Sequence, residues 1–261
     1  MTDLTYRVKN GVGTIQLNRP SYKNAFTLEM VDAWADHLLS ASRDPNVGAI
    51  VVTGSGDSFC SGIDRAVMEN WLAQNTALDW KSILWDRVYR IAFTLERMDK
   101  PVIAAVNGVA FGAGMDMALM CDMRFMARSA RFSEGYIRIG AVPGDGGCYY
   151  LPRLVGRAKA LELLLSGDFV DADEALRIGL VNRICDDEAL ADEVQSFAER
   201  LLTSNPIALR LIKRAVDQSL RSDLHTSLDL ISSHMGVVQT TDNAKEAVAA
   251  FRQRRSPTFK A

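Results

Sequence analysis

The sequence predicts an α/β chain of stacked strand–helix turns with mostly parallel pairing over roughly residues 1–190, followed by helices alone. Three observations carry this. Strand-like and helix-like hydrophobic periods alternate up to about Asp187. Two apolar β-type runs, GAIVVT (48–53) and PVIAAV (101–106), each lead into a glycine-containing bend and then a helical pattern. Beyond Asp187 only the helical period remains.

Taken in order, Thr5–Val8 and Val12–Leu17 alternate around Asn10-Gly11, a hairpin signal. After a turn at Asn18-Arg19-Pro20, apolar positions 28, 31, 35, 38 and 39 follow the helical period from Leu28 to about Arg43, where Asp44-Pro45 stops it. GAIVVT is the next strand, and TGSGDSFCSGIDR (53–65) is a small-residue loop with three glycines. Residues 66–84 are aromatic-rich and weakly periodic, which predicts a mobile or substrate-covering segment. Asp86–Met98 forms a helix with positions 88, 91, 92 and 95 inward.

The strand Pro101–Val106 breaks at Asn107-Gly108, crosses the bend Gly112-Ala113-Gly114 and enters an apolar helix carrying one carboxylate, Asp116. Met123–Met126 and Arg131–Ile139 read as short strands, and GAVPGDGG (140–147) bends the chain again. Arg157–Ser166 is a helix closed by Gly167, Asp171-Ala-Asp-Glu174 is a capping-box pattern, and Leu180–Ile184 is a last strand. The later helices (188–203, 207–221, 224–238, 243–253) would make a thin core alone. They are expected to pack on the main domain or on another subunit.

Composition narrows the function. Thirty Lys+Arg against 32 Asp+Glu give a formal charge of −2, so no global field recruits nucleic acid or an anionic membrane. No apolar stretch has a leader's or a spanning helix's character, which predicts a cytoplasmic protein. Cysteines 60, 121, 148 and 185 form no CxxC pair and histidines 37, 225 and 234 are scattered, so zinc and redox spacings are missing and no metal site is expected. The G-x-G-x-x-G fingerprint, the Walker lysine and the G-x-S-x-G elbow are absent as well.

What remains is the pair of bends at 60–64 and 111–114. The first turn of a helix has unpaired amides and a partial positive charge, and glycine lets an anion approach the main chain. If both bends converge they form an oxyanion hole, each donor worth ~2.7–4 kcal/mol in a transition state. Either bend alone is equally a tight turn.

Five collinear blocks carry a family resemblance: NRPSYKNAF (18–26), SGDSFCSGIDR (55–65), KPVIAAVNGVAFGAGMDMALMCDMRFMA (100–127), FSEGYIRIGAVPGDGG (132–147) and LPRLVGRAKALELLLSGDFVDADEALRIGLVNRI (151–184). Together they resemble the crotonase, or enoyl-CoA hydratase/isomerase, superfamily. The resemblance implies a crotonase-like ββα spiral over 1–190 that binds acyl-CoA, with a helical oligomerisation domain at 191–261 that makes trimers or a hexamer (dimer of trimers). It implies a coenzyme A thioester as substrate and no separate metal or redox cofactor. By position, the oxyanion donors are the amides of Ile63 and Ala113. Ser61, Gly62, Ile63, Asp64 and Arg65 would line the CoA arm, with Gly112 beside the hole, while Lys23, Arg65 and Lys260 are phosphate or adenine contacts unless they are plain solvated charges.

The sequence departs from the two-glutamate pattern of the family's hydratases. Asp116 stands at the first glutamate position and Tyr136 at the second. Aspartate is shorter by about 1.5 Å, and an unperturbed tyrosine titrates near ~10, so two-glutamate hydration is disfavoured. Asp145 lies one residue beyond an aspartate kept by some dienoyl and ring-opening isomerases, and it could instead cap the helix starting at Gly146. Glu134 and Tyr136 complete the candidate set. The expected activity is therefore double-bond isomerisation over hydration, with Asp116 and Asp145 moving protons. Hydrolysis or C–C cleavage through the same oxyanion, and a catalytically poor acyl-CoA-binding or assembly subunit, are the alternatives. Trp71, Trp80, Trp85, Phe93 and Tyr149 are candidates to shape a pocket for an aromatic or cyclic acyl chain, unless they are plain core.

Overall fold

The computed structural model describes residues 2–260, and two sheets organise its backbone. Strands β1 (Leu4–Lys9) and β2 (Val12–Leu17) form the expected hairpin, with Asn10 and Gly11 both at positive φ (51° and 78°) in the tight turn. Helix α1 (Leu28–Arg43) starts where Thr27 accepts from the Met30 N–H and buries Val31, Trp34, Ala35 and Leu38. Its C-terminal end is closed by buried Lys100, whose Nζ donates at 2.7 Å to the carbonyls of Ala41 and Asp44.

The middle of the chain repeats one unit, a long strand, a short strand and a helix. The first copy is β3 (Ala49–Gly54), β4 (Ser58–Cys60) and α2 (Arg65–Gln74). After α3 (Ala77–Ile83), a widened π-type turn (Leu84–Val88) and α4 (Tyr89–Arg97), the second copy is β5 (Val102–Val106), β6 (Val109–Phe111) and α5 (Ala113–Leu119). The third is β7 (Met123–Ala127), β8 (Arg131–Ser133), a 3-10 turn (Gly135–Ile139) and α6 (Gly147–Val155). Then come α7 (Arg157–Ser166), β9 (Val170–Asp171), α8 (Ala172–Arg177), β10 (Arg183–Cys185) and the helices α9 (Leu190–Leu202), α10 (Pro206–Ser219), α11 (Leu224–Gln239) and α12 (Asp242–Gln253).

The long strands pair in the order β1-β2-β3-β5-β7-β10, parallel except for the first pair. The short strands form a second sheet, β4-β6-β8-β9, antiparallel only at β9. Each turn of the chain thus passes through both sheets before its helix, and the helix starts are stacked at one place.

Residues 66–84 are largely helical, α2 and α3 being linked by an edge-to-face contact of Trp71 on Trp80 at 5.2 Å. The structure corrects three local expectations. Strands β4 and β6 carry no periodic signal at three residues each, yet they pair in parallel, with a register shift between Ser58 and Cys60. The strand expected over 131–139 stops at Ser133, because the next residues coil into the 3-10 turn. The last strand starts at Arg183, after Leu180 has turned its N–H back to Ala175.

At the C-terminal end, α9 buries Val194 and Ala198 against β2, β3, β5 and β7, so the helix following residue 190 is packed on the main sheet. Lys213 of α10 reaches back to Asp122 at 2.7 Å and to the Lys100 carbonyl at 3.0 Å. Apolar side chains remain exposed on α10–α12, among them Ile212, Leu220, Leu224, Met235 and Phe251. No helix among the described residues is long and apolar enough to cross a membrane.

Candidate active site

The two bends converge. Phe26 bridges Ile63 in parallel: the Phe26 N–H donates to Gly62 O and the Asp64 N–H to Phe26 O, both at 2.9 Å. In such a bridge the N–H of Ile63 itself points away from Phe26, and it has no hydrogen-bond partner among the described residues. Ala113 is the first residue of α5, which has no side-chain cap, so its N–H belongs to the unpaired first turn. The bends touch: a Cβ on Gly62, whose φ is +92°, would stand 3.6 Å from Ala113 N, and one on Gly114 would stand 2.1 Å from Cys60 O. Only glycine permits that approach.

Beside them lies a cluster of buried acids. Asp116 is on the first turn of α5, Glu134 and Tyr136 follow β8, and Asp145 precedes α6. Tyr136 Oη is 2.6 Å from Asp116 Oδ2 and 2.7 Å from Asp145 Oδ2. A phenol has one proton to donate, so the two contacts are both satisfied when one carboxyl keeps its own proton. Burial, followed by the charges of Glu134 and Asp145, raises Asp116 well above the ordinary carboxylate range. Burial pushes Asp145 up to about 6, against the lowering effect of the Tyr136 hydroxyl. Burial thus disfavours charge on both carboxyls that flank the phenol. Burial also raises Tyr136 well above 10, keeping it neutral.

Glu134 joins from the other side. Burial pushes it up to about 7, with Asp116 lowering and Asp145 raising it. Neither of its oxygens, nor Asp116 Oδ1, meets an N–H or hydroxyl donor among the described residues, which leaves a proton shared between the two carboxyls as their link. All three crowd against Gly147, where a Cβ would lie 2.6 Å from Asp116 Oδ1 and 2.7 and 2.8 Å from the Glu134 oxygens. The glycine is the space that these carboxyls occupy. The 3-10 turn is why Glu134 and Tyr136 both reach one cluster, as the strand expected there would also have allowed.

Asp145 makes no cap to α6, whose first turn has no side-chain acceptor. Asp64 instead caps α2 through the Ala66 N–H and pairs with Arg19 at 2.9 Å; despite its burial, these contacts hold it below the usual carboxylate range. Its side chain is thus occupied, while Ser61, Gly62 and Ile63 keep their main chain at the bend. Gly112 spends its N–H on Ser133 O. Lys23 and Arg65 are exposed and paired with Asp57 at 2.6 Å and Glu69 at 2.7 Å. Lys260 is tied by its main chain to Asn243 at the start of α12, and none of its contacts reaches the bends.

A cavity of about 410 Å³ adjoins the acid cluster at Asp145, the one member of the cluster that lines it. Of the aromatic candidates, Trp85, Phe93 and Tyr149 line it, and Trp71 and Trp80 do not. Tyr89 and Tyr150 line it too, and Tyr89 Oη donates to Gly144 O at 2.7 Å. Sequence reasoning missed Tyr89 and Gly147; the repeat of aromatics at 85, 89 and 93 was the available signal for the first.

The family model described as enoyl-CoA hydratase/isomerase matches residues 7–261 of this chain. The chain belongs to that family. It is similar to the crotonyl-CoA hydratase of Syntrophomonas wolfei (37% identical over 249 residues, 95% of this chain and 94% of the relative). It is also similar to the 1,2-epoxyphenylacetyl-CoA isomerase of Escherichia coli (37% over 255 residues, 97% and 96%). Among solved structures, the enoyl-CoA hydratase from Bacillus anthracis superimposes with a TM-score of 0.91 at 30% identity, covering 99% of both chains. The fold is that of the crotonase superfamily, and the chain is an enzyme of the enoyl-CoA hydratase/isomerase family.

Proposed function

We propose that this enzyme isomerises the double bond of an enoyl-CoA thioester through an enolate held by the Ile63 and Ala113 amides. The observation that carries the reading is the line of Asp116, Tyr136 and Asp145, with contacts of 2.6 and 2.7 Å. Ionised Asp145, which lines the cavity, takes a proton as the C2–H bond of a 3-enoyl thioester breaks, and the charge moves to the thioester oxygen. Protonated Asp116 gives a proton to C4, which leaves the 2-enoyl product. Tyr136 then passes the proton held by Asp145 to Asp116, so the site returns to its starting state with no net proton gained. The step needs no metal or redox partner, because only protons move, among carbon, the two carboxyls and the phenol.

The main chain of Ser61–Ile63 would meet the thiol arm of coenzyme A, and exposed Lys23 and Arg65 would exchange Asp57 and Glu69 for phosphate. The exposed apolar side chains of α10–α12 support assembly into a trimer or a dimer of trimers, which light scattering would read directly.

A second reading is hydration, favoured by Glu134: a buried carboxyl beside Asp116 whose oxygens meet no N–H or hydroxyl donor among the described residues is where a water could be held. The test offers crotonyl-CoA and a 3-enoyl-CoA, following the absorbance of the conjugated thioester, with solvent deuterium exchange into a saturated acyl-CoA as a third arm. Isomerisation predicts turnover of the 3-enoyl ester above that of crotonyl-CoA, and loss of it in Asp116→Asn with binding retained. Faster hydration of crotonyl-CoA, abolished by Glu134→Gln, would replace the first reading with the second.

A further inference from the structure

We infer that the acyl group carried by the thioester is neutral and contains a flat unsaturated ring. This deepens the thioester reading above and rests on it. The cavity that Asp145 lines is also lined by two aromatic groups, Trp85, Tyr89 and Phe93 on the π-type turn and α4, and Tyr149 and Tyr150 on α6. The first three are mutually edge-to-face, with centroids 5.4 Å apart for Trp85–Phe93, 5.9 Å for Trp85–Tyr89 and 6.1 Å for Tyr89–Phe93, and planes inclined by 68–77°. The second group, Tyr149 and Tyr150, is edge-to-face at 5.1 Å and 84°. Rings attract a further ring in this arrangement, because the positive edge of one meets the negative face of another. A planar acyl group in the cavity continues the pattern of both groups, whereas an alkyl chain gains only buried area.

Two further observations agree. The widened turn at 84–88, a feature enriched at functional sites, is what delivers Trp85, and this large ring is 57% exposed at the cavity. The Tyr89 hydroxyl is committed to Gly144, on the loop that carries Asp145, so its ring is fixed as wall. The cavity is also lined by Glu96, Asp122 and Asp217, and its one lining cation, Arg221, is taken by Glu96 at 2.6 Å. An acyl chain ending in its own carboxylate would meet like charge there.

The volume of about 410 Å³ lies within the ~300–1,000 Å³ of small-molecule sites. Two ring contacts at the strength usual for aromatic pairs correspond to roughly 10-fold or more in affinity.

Calorimetry of phenylacetyl-CoA, hexanoyl-CoA and glutaryl-CoA tests this, since all three share the CoA portion. The ring ester is expected to bind at least about 10-fold tighter than the hexanoyl ester, with the glutaryl ester weakest. In Trp85→Leu, and independently in Phe93→Leu, the ring-to-chain ratio falls toward one. Equal or tighter hexanoyl binding, a ratio unmoved by both substitutions, or preferred glutaryl binding would overturn the inference. Deuterium exchange at the α-carbon of the same esters reads the enolate chemistry separately. Ring preference without exchange would refute the proposed mechanism and leave the acyl selectivity standing, and exchange without ring preference would do the reverse.

Discussion

Asp145 should act on the stability of this protein in a way that a pH titration can isolate. Its carboxyl has an ordinary value of 3.8 and is pushed to about 6 in the fold, chiefly by burial. Each pH unit of displacement corresponds to about 1.36 kcal/mol, so the penalty for holding the ionised group is about 3 kcal/mol. The sign follows from proton uptake. Below about pH 4 both folded and unfolded chains are protonated at this site and no penalty exists. Between pH 4 and 6 the folded chain keeps a proton that the unfolded chain releases, so stability falls as pH rises; above about 6 the loss is complete and constant. Asp145→Asn removes the titration while preserving a side chain able to meet the Tyr136 hydroxyl. Urea unfolding at fixed protein concentration, at pH 4.5, 5.5, 6.5 and 7.5, compares the two proteins. The variant is expected to gain on the parent across this range by up to about 3 kcal/mol, less whatever its amide loses in hydrogen bonding. A parent–variant difference that does not change with pH would refute the burial argument. So would a variant that loses ground as pH rises.

Three further outcomes are expected. Gly147→Ala places a Cβ 2.6–2.8 Å from Asp116 Oδ1 and the Glu134 oxygens, against at least 3.4 Å for an ordinary contact, so these carboxyls must yield by several tenths of an ångström. Steady-state kinetics should show a loss on the order of 10²-fold in kcat while circular dichroism remains native. Gly62→Ala strains a backbone at φ +92° and brings its Cβ 3.2 Å from Phe111 O, which disturbs the Ile63 and Ala113 amides. A drop of roughly 10²-fold or more in kcat with little change in acyl-CoA affinity is the expected signature of a damaged oxyanion hole. Finally, kcat/KM for the 3-enoyl ester should rise with pH through about 6, as Asp145 becomes the base, and this limb should vanish in Asp145→Asn; a flat parent profile between pH 5 and 7 would remove Asp145 from that role.

The hairpin, α1, the buried strands at 49–54 and 102–106 and the four late helices follow from local pattern, because hydrophobic period and capping residues report burial one element at a time. Both glycine bends and the carboxylate at Asp116 were legible for the same reason: strand, glycine turn and helix start are contiguous in sequence. The second sheet was not, because strands of three residues such as β4 and β6 hold too few positions to display a period.

The chemistry of the acids also lay beyond the sequence. Asp116, Glu134, Tyr136 and Asp145 are individually visible as residues, but nothing in a linear spacing of twenty or nine residues says that one phenol stands between two carboxyls. That contact exists because parallel pairing of β6 with β8 sets the start of α5 beside the 3-10 turn, and because Gly147 leaves room for the carboxyls. Sequence by itself determined the longer elements, the two glycine bends and the departure from a two-glutamate pattern. Only the tertiary structure decided which acids are buried together, since carboxyl protonation depends on burial and on neighbouring charge, and both are properties of assembled elements.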